Sequence, residues 1–132
     1  MRFLSIYKTE ETNQPPTLEH VTRMQELIEE GMRGGWLVTT EGCLPSVKGA
    51  RVRRANGKTT VTDGPFTESK ELVAGFAILE AASKQEAIEL TRKFLEVAGG
   101  GECELRQVFT AADAAPAHAA DTHAQLVEQI VR

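Results

Sequence analysis

The chain has 132 residues, 41% apolar and 26% charged, with a net charge of −4. That length is one ordinary domain, able to bury a core without disulfide or metal staples. The composition excludes a disordered chain, and the acidic balance excludes general nucleic-acid binding, which needs a basic surface to displace phosphate counterions.

Residues 2–7 predict a strand with Leu4 and Ile6 on one face and Phe3 and Tyr7 on the other. Pro15 and Pro16 mark a loop. Thr17 is a helix cap, with Glu19 in the first turn, where an acidic group meets the positive end of the dipole. Leu18, Val21, Met24, Ile28 and Met32 then recur at helical spacing until Gly34-Gly35 closes the helix. Residues 36–44 read as a second strand.

The middle of the chain is a hairpin. Ala50 to Ala55 leads into Asn56-Gly57, a strong two-residue turn signal, and Lys58 to Thr62 leads out. Such a turn sets Ala55 opposite Lys58, Val52 opposite Val61 and Ala50 opposite Asp63. Asp63 therefore shares a face with Val61 and Val52, on the apolar side, and Arg51, Arg53, Thr60 and Thr62 make a solvated face.

Asp63-Gly64-Pro65-Phe66 is a turn, and residues 72–81 form a strand apolar on both faces, hence central in its sheet. Gly75 in its interior marks close approach by another group. Ser83 and Glu86 make a capping box, and Ala87, Leu90, Phe94 and Ala98 form the buried stripe of the helix it opens. A last strand alternates Cys103, Leu105, Gln107 and Phe109 with Glu102, Glu104, Arg106 and Val108. Residues 1–110 are thus the domain. Residues 111–132 are an alanine-rich linker and a short helix over 122–131, too short to stand alone.

This order predicts an α+β fold: a ferredoxin-like split βαβ sheet with an inserted β-hairpin and both helices on one face. Phe3, Trp36, Val38, Phe76 and Phe109 are assigned to the other face, too apolar to meet water. A second copy covering it gives a homodimer with a barrel-like core, a dimeric α+β barrel.

The spacing of Cys43 and Cys103 fits neither a zinc site nor a thioredoxin pair. Phosphate loops, nucleophile elbows and zinc-protease motifs are absent, so neither metal nor cofactor is expected. With no leader pattern and no membrane-length apolar run, the cytoplasm is the expected location and no membrane partner is expected.

Several residues are candidates for chemistry. Asp63 on an apolar face is either a desolvated general base or the cap of its own turn. Glu71, placed on one face with Val73 and Gly75, is either a buried carboxylate beside the gap that Gly75 leaves or the partner of Arg106. Tyr7 is either a hydrogen-bonding group for a ligand or a rim residue. Glu41, Phe66, Gly75 and Arg106 complete the expected ligand site, and His20 in the first helical turn is a further base candidate.

The stretch Val61-Thr-Asp-Gly-Pro-Phe-Thr-Glu-Ser-Lys-Glu-Leu-Val-Ala-Gly-Phe76 resembles the signature of the YCII-related family, specifically its DGPF branch. Tyr7, Glu41-Gly42, residues 83–87 and Glu104-Leu105-Arg106 are similar to that family as well, over about residues 1–109. The resemblance implies a dimeric α+β barrel and a superfamily that includes cofactor-independent enzymes. It associates a His/Asp pair with an active site, which here would join His20 to Asp63. It also implies a link to extracytoplasmic-function sigma factors, beside which members of this branch are often encoded. Two functions follow: carboxylate acid/base chemistry on an unknown small molecule, or a non-catalytic binding or regulatory module.

Overall fold

A computed structural model describes residues 1–114 and residue 130; the helix expected over 122–131 lies outside the described residues apart from Ile130. Within residues 1–114, six strands and two α-helices follow one another as β1 (Arg2–Thr9), α1 (Leu18–Gly34), β2 (Leu37–Gly42), β3 (Ala50–Ala55), β4 (Lys58–Asp63), β5 (Leu72–Glu80), α2 (Lys84–Ala98) and β6 (Glu102–Gln107). A 3-10 turn at Ser46–Lys48 precedes the hairpin, and another at Ala111–Asp113 follows β6. Two sheets form: a four-stranded sheet in the order β2-β5-β1-β6, and the separate ribbon β3-β4. All pairings are antiparallel. This is the ferredoxin-like α+β arrangement with an inserted hairpin, and β5 is central, as its two apolar faces require.

Local chemistry sets the element ends. The Thr17 hydroxyl accepts the His20 amide at 3.1 Å, and Ser83 accepts that of Glu86 at 3.1 Å. Glu86 returns its carboxylate to the Ala82 amide at 3.2 Å, one residue earlier than a standard capping box. Gly35 and Gly99, both left-handed, end the helices. The hairpin register is the one an Asn-Gly turn dictates, with Ala55 facing Lys58, Val52 facing Val61 and Ala50 facing Asp63.

The core lies between the four-stranded sheet and the helices. Phe3, Leu37, Leu79, Ala81 and Ala87 are buried there, and Ile28, Trp36, Leu90 and Leu105 pack against them. Phe3 and Trp36 therefore belong to the covered side, not to the open face. Phe3 pairs with Leu79, so the register sends both to the helices. The open face carries Leu4, Ile6, Ile78, Val38 and Phe76, the last two 38% and 37% exposed. The stripe of α1 is also shifted: Leu27 and Gly31 are buried, whereas Leu18 and Met32, at the two ends of the helix, are exposed.

Two irregularities break the alternation that a regular strand would show. On β5, Gly75 pairs with Tyr7 but Val73 pairs with Lys8, so one extra residue, Ala74, is inserted against β1. Val73 and Gly75 consequently lie on opposite faces, and Glu71 precedes β5 and has no register partner on it. On β2 a second slip falls between Leu37 and Thr39.

Candidate functional site

Between the sheet and the helices lies a cavity of about 420 Å³. Its floor is β5, where Ala74, Gly75 and Ala77 supply almost no side-chain volume, and its roof is α1 and α2. A Cβ on Gly75 would meet the Glu41 carbonyl oxygen at 2.8 Å, so β2 and β5 approach closely here only because the residue is glycine. Met24, Leu27, Ile28, Leu90 and Phe94 descend from the helices, and Trp36 and Leu37 enter from the start of β2. The chamber is thus mostly hydrocarbon and aromatic, with a few hydroxyls, the composition of a small-molecule pocket.

Those hydroxyls have defined partners. Tyr7 Oη donates to the Gly100 carbonyl at 2.7 Å, and its ring meets Phe94 edge-on with centroids 5.0 Å apart. Thr40 Oγ1 donates to the Phe76 carbonyl at 2.9 Å, and Thr91 Oγ1 to the Ala87 carbonyl at 2.8 Å. Ser5 is hydrogen-bonded to the sulfur of Cys103. Burial pushes that thiol above its ordinary value, the Ser5 bond partly offsets the shift, and the Glu102 charge adds to it.

A second, more open hollow of about 520 Å³ adjoins the first at Met24, Gly42 and Ala74. Glu10, Glu11, His20 and Cys43 line it.

The Asp-Gly-Pro-Phe turn is built as a clasp. The Gly64–Pro65 peptide is cis, and a Cβ on Gly64 would fall 1.7 Å from the Ser46 carbonyl oxygen, so backbone rests on backbone. The Gly64 amide donates to the Gly49 carbonyl at 3.0 Å. The Phe66 amide donates to Ser46 Oγ at 3.1 Å, while the Ser46 amide and hydroxyl both donate to the Glu11 carboxylate, at 2.5 and 2.9 Å. The Arg51 guanidinium lies 3.9 Å above the Phe66 ring and pairs with Glu68. The Glu68 carboxyl is held below its ordinary range, first by this Arg51 bond. The motif therefore ties the base of the hairpin to the 3-10 turn at Ser46–Lys48 and to the β1–α1 loop.

The model of the YCII-related domain matches residues 1–122. The chain belongs to the YCII-related family. An uncharacterised protein of Rhizobium meliloti (strain 1021) is 41% identical to it over 49 residues, which is 37% of this chain and 40% of that protein's length.

Within this YCII-related fold the expected site residues separate. Tyr7, Glu41 and Gly75 line the cavity, and Glu41, whose Cα pairs with Phe76 of the open face, sets its main-chain carbonyl against Gly75. Asp63 and Glu71 are exposed and line neither hollow. Asp63 has the predicted facing, but among the described residues no other element covers that side of the ribbon: Val52 and Val61 are 70% and 63% exposed. Its face is apolar in composition without being desolvated. His20 lines the second hollow and makes no hydrogen bond or ion pair with Asp63 among the described residues. Phe66 serves the clasp, and Arg106 is exposed and paired with Glu104 at 3.3 Å rather than with Glu71. Among the described residues no cluster of three or more His, Cys, Asp or Glu is placed to hold a metal ion. Among the described residues no helix is long and apolar enough to cross a membrane.

The residues that shape the chamber, Trp36, Thr40, Leu90, Thr91 and Phe94, were not read from the sequence as a site. The available signal was the small-residue run Ala74-Gly75 and Ala77 on a central strand facing two amphipathic helices, a floor without side chains to fill the space above it.

Proposed function

We propose that this chain, a member of the DGPF branch of the YCII-related family, is a small-molecule-binding protein whose ligand occupies the chamber between β5 and the two helices. The carrying observation is the chamber itself: about 420 Å³ of apolar, aromatic-walled space in a small domain. Close packing would otherwise fill such a space. Placement favours binding over carboxylate acid/base catalysis, because the exposed Asp63 and Glu71 are not among the lining residues.

N-phenyl-1-naphthylamine, a neutral dye that fluoresces in apolar surroundings, tests this reading. Wild-type protein binds it, and Ala77→Leu, which adds bulk to the chamber floor, weakens binding about tenfold or more while thermal unfolding remains cooperative. Equal dye affinity in Ala77→Leu would overturn the proposal.

We further propose that the chain works as a homodimer through the open sheet face. Leu4, Ile6, Val38, Phe76 and Ile78 form an apolar surface there. The charge distribution suits a second copy. Between residues 42 and 62 lie five basic and no acidic residues, while the rest of the chain has ten basic against nineteen acidic. Copies related by a two-fold axis can set the basic hairpin of each against the acidic body of the other.

A further inference from the structure

We propose that the chamber selects a neutral, largely apolar molecule bearing an O–H or N–H donor, and rejects carboxylates and phosphates of the same size. This rests on the reading of the chamber as a ligand site and adds the chemistry it accepts.

Charge comes first. Among the described residues no Lys, Arg or His lines the chamber, and the one acidic residue of its wall, Glu41, belongs by register to the opposite face. An anion entering this space would lose its water and meet no countercharge, which strongly disfavours its ionised form.

Hydrogen bonding comes second. A hydroxyl carries one donor hydrogen and two acceptor lone pairs. The hydrogens of Tyr7, Thr40 and Thr91 are committed to the Gly100, Phe76 and Ala87 carbonyls at 2.7, 2.9 and 2.8 Å. These three oxygens can therefore only accept from a newcomer unless a protein bond is broken. The side-chain N–H of the lining, Trp36 Nε1, lies against the end of α1, 3.3 Å from where a Gly34 Cβ would sit. The side chains thus ask the ligand for a hydrogen-bond donor and offer no cation to an anion. The aromatic rings of Tyr7, Trp36 and Phe94 suit a planar hydrocarbon body.

Three matched compounds test this by calorimetric titration: 1-naphthol, 1-methoxynaphthalene and 1-naphthoate. The expected order is naphthol tighter than methoxynaphthalene by about fivefold to tenfold, the worth of one hydrogen bond. Naphthoate should be weaker than naphthol by on the order of a hundredfold. In Tyr7→Phe, Thr40→Val and Thr91→Val taken singly, at least one variant should lose the naphthol preference while still binding methoxynaphthalene, which shows that its chamber is intact. Naphthoate binding as tightly as naphthol overturns the inference, as does a preference unchanged in all three variants. If the naphthylamine dye binds wild type and Ala77→Leu blocks it, while the naphthalene order is reversed, only the selectivity fails. If neither the dye nor any naphthalene binds, the site itself fails.

Discussion

Cys103 and Cys43 carry the same side chain into different surroundings. Cys103 is half-buried on β6, paired across from Tyr7 and hydrogen-bonded to Ser5, and its thiol is pushed up by burial. Cys43 is exposed beside the second hollow. A thiol raised in the folded state favours folding below its unfolded value, about 8.5. That contribution is lost as pH rises through the higher folded value. Because the thiolate is the nucleophile, iodoacetamide at pH 8 should label Cys43 at least about tenfold faster than Cys103. Peptide mass spectrometry over time reads both sites, and equal rates would contradict the assignment. Glu104 has the opposite sign: its hydrogen bonds to Lys8 and then Arg106 hold its carboxyl below the usual range. Its contribution is present above about pH 4.3 and is lost as pH falls through the lower folded value.

At the scale of elements, the hairpin stands apart. All twelve residues of β3 and β4 are exposed, and a two-stranded ribbon is marginal by itself. What fixes it is the clasp of Gly64, Phe66, Ser46, Glu11 and Arg51. Gly64→Ala must push the Ser46 backbone aside and should cost about 1–3 kcal/mol in urea unfolding. Amide exchange should quicken at residues 46–66 before β1 or β5 is affected. A neutral effect would mean that the close contact is not maintained in solution.

Much of this layout was legible, and the reasons are local. Asn56-Gly57 fixed the ribbon's register because a two-residue turn leaves one choice. Thr17 and Ser83 marked helix starts because unpaired amides need a nearby oxygen. The bulge at Ala74 was not legible, since nothing in Val73-Ala74-Gly75 says which residue is extra. That slip sets Val73 and Gly75 on opposite faces, so the common face expected for Glu71, Val73 and Gly75 does not form. The role of Asp-Gly-Pro-Phe was also hidden, because its partners Glu11 and Ser46 are distant in sequence and their meeting depends on the whole fold.

For the whole molecule, one sheet has two unlike faces. The helix side encloses the chamber, and the other side leaves Phe76 and Val38 more than a third exposed. Sedimentation equilibrium should therefore give twice the 14.4 kDa chain mass, and Phe76→Asp should shift the particle to the monomer. A monomeric wild-type particle would contradict the assembly. The ligand reading does not depend on this, because β5, α1 and α2 of one chain line the chamber.

The most direct test of the chamber is a methyl-resolved NMR titration of the full chain with 1-naphthol. The account predicts saturable shifts at Leu27, Ile28, Leu79 and Leu90, which face the chamber, with Leu4, Ile6 and Ile78 on the opposite side unmoved. Shifts confined to Leu4, Ile6 and Ile78, or no saturable shifts at all, would contradict it.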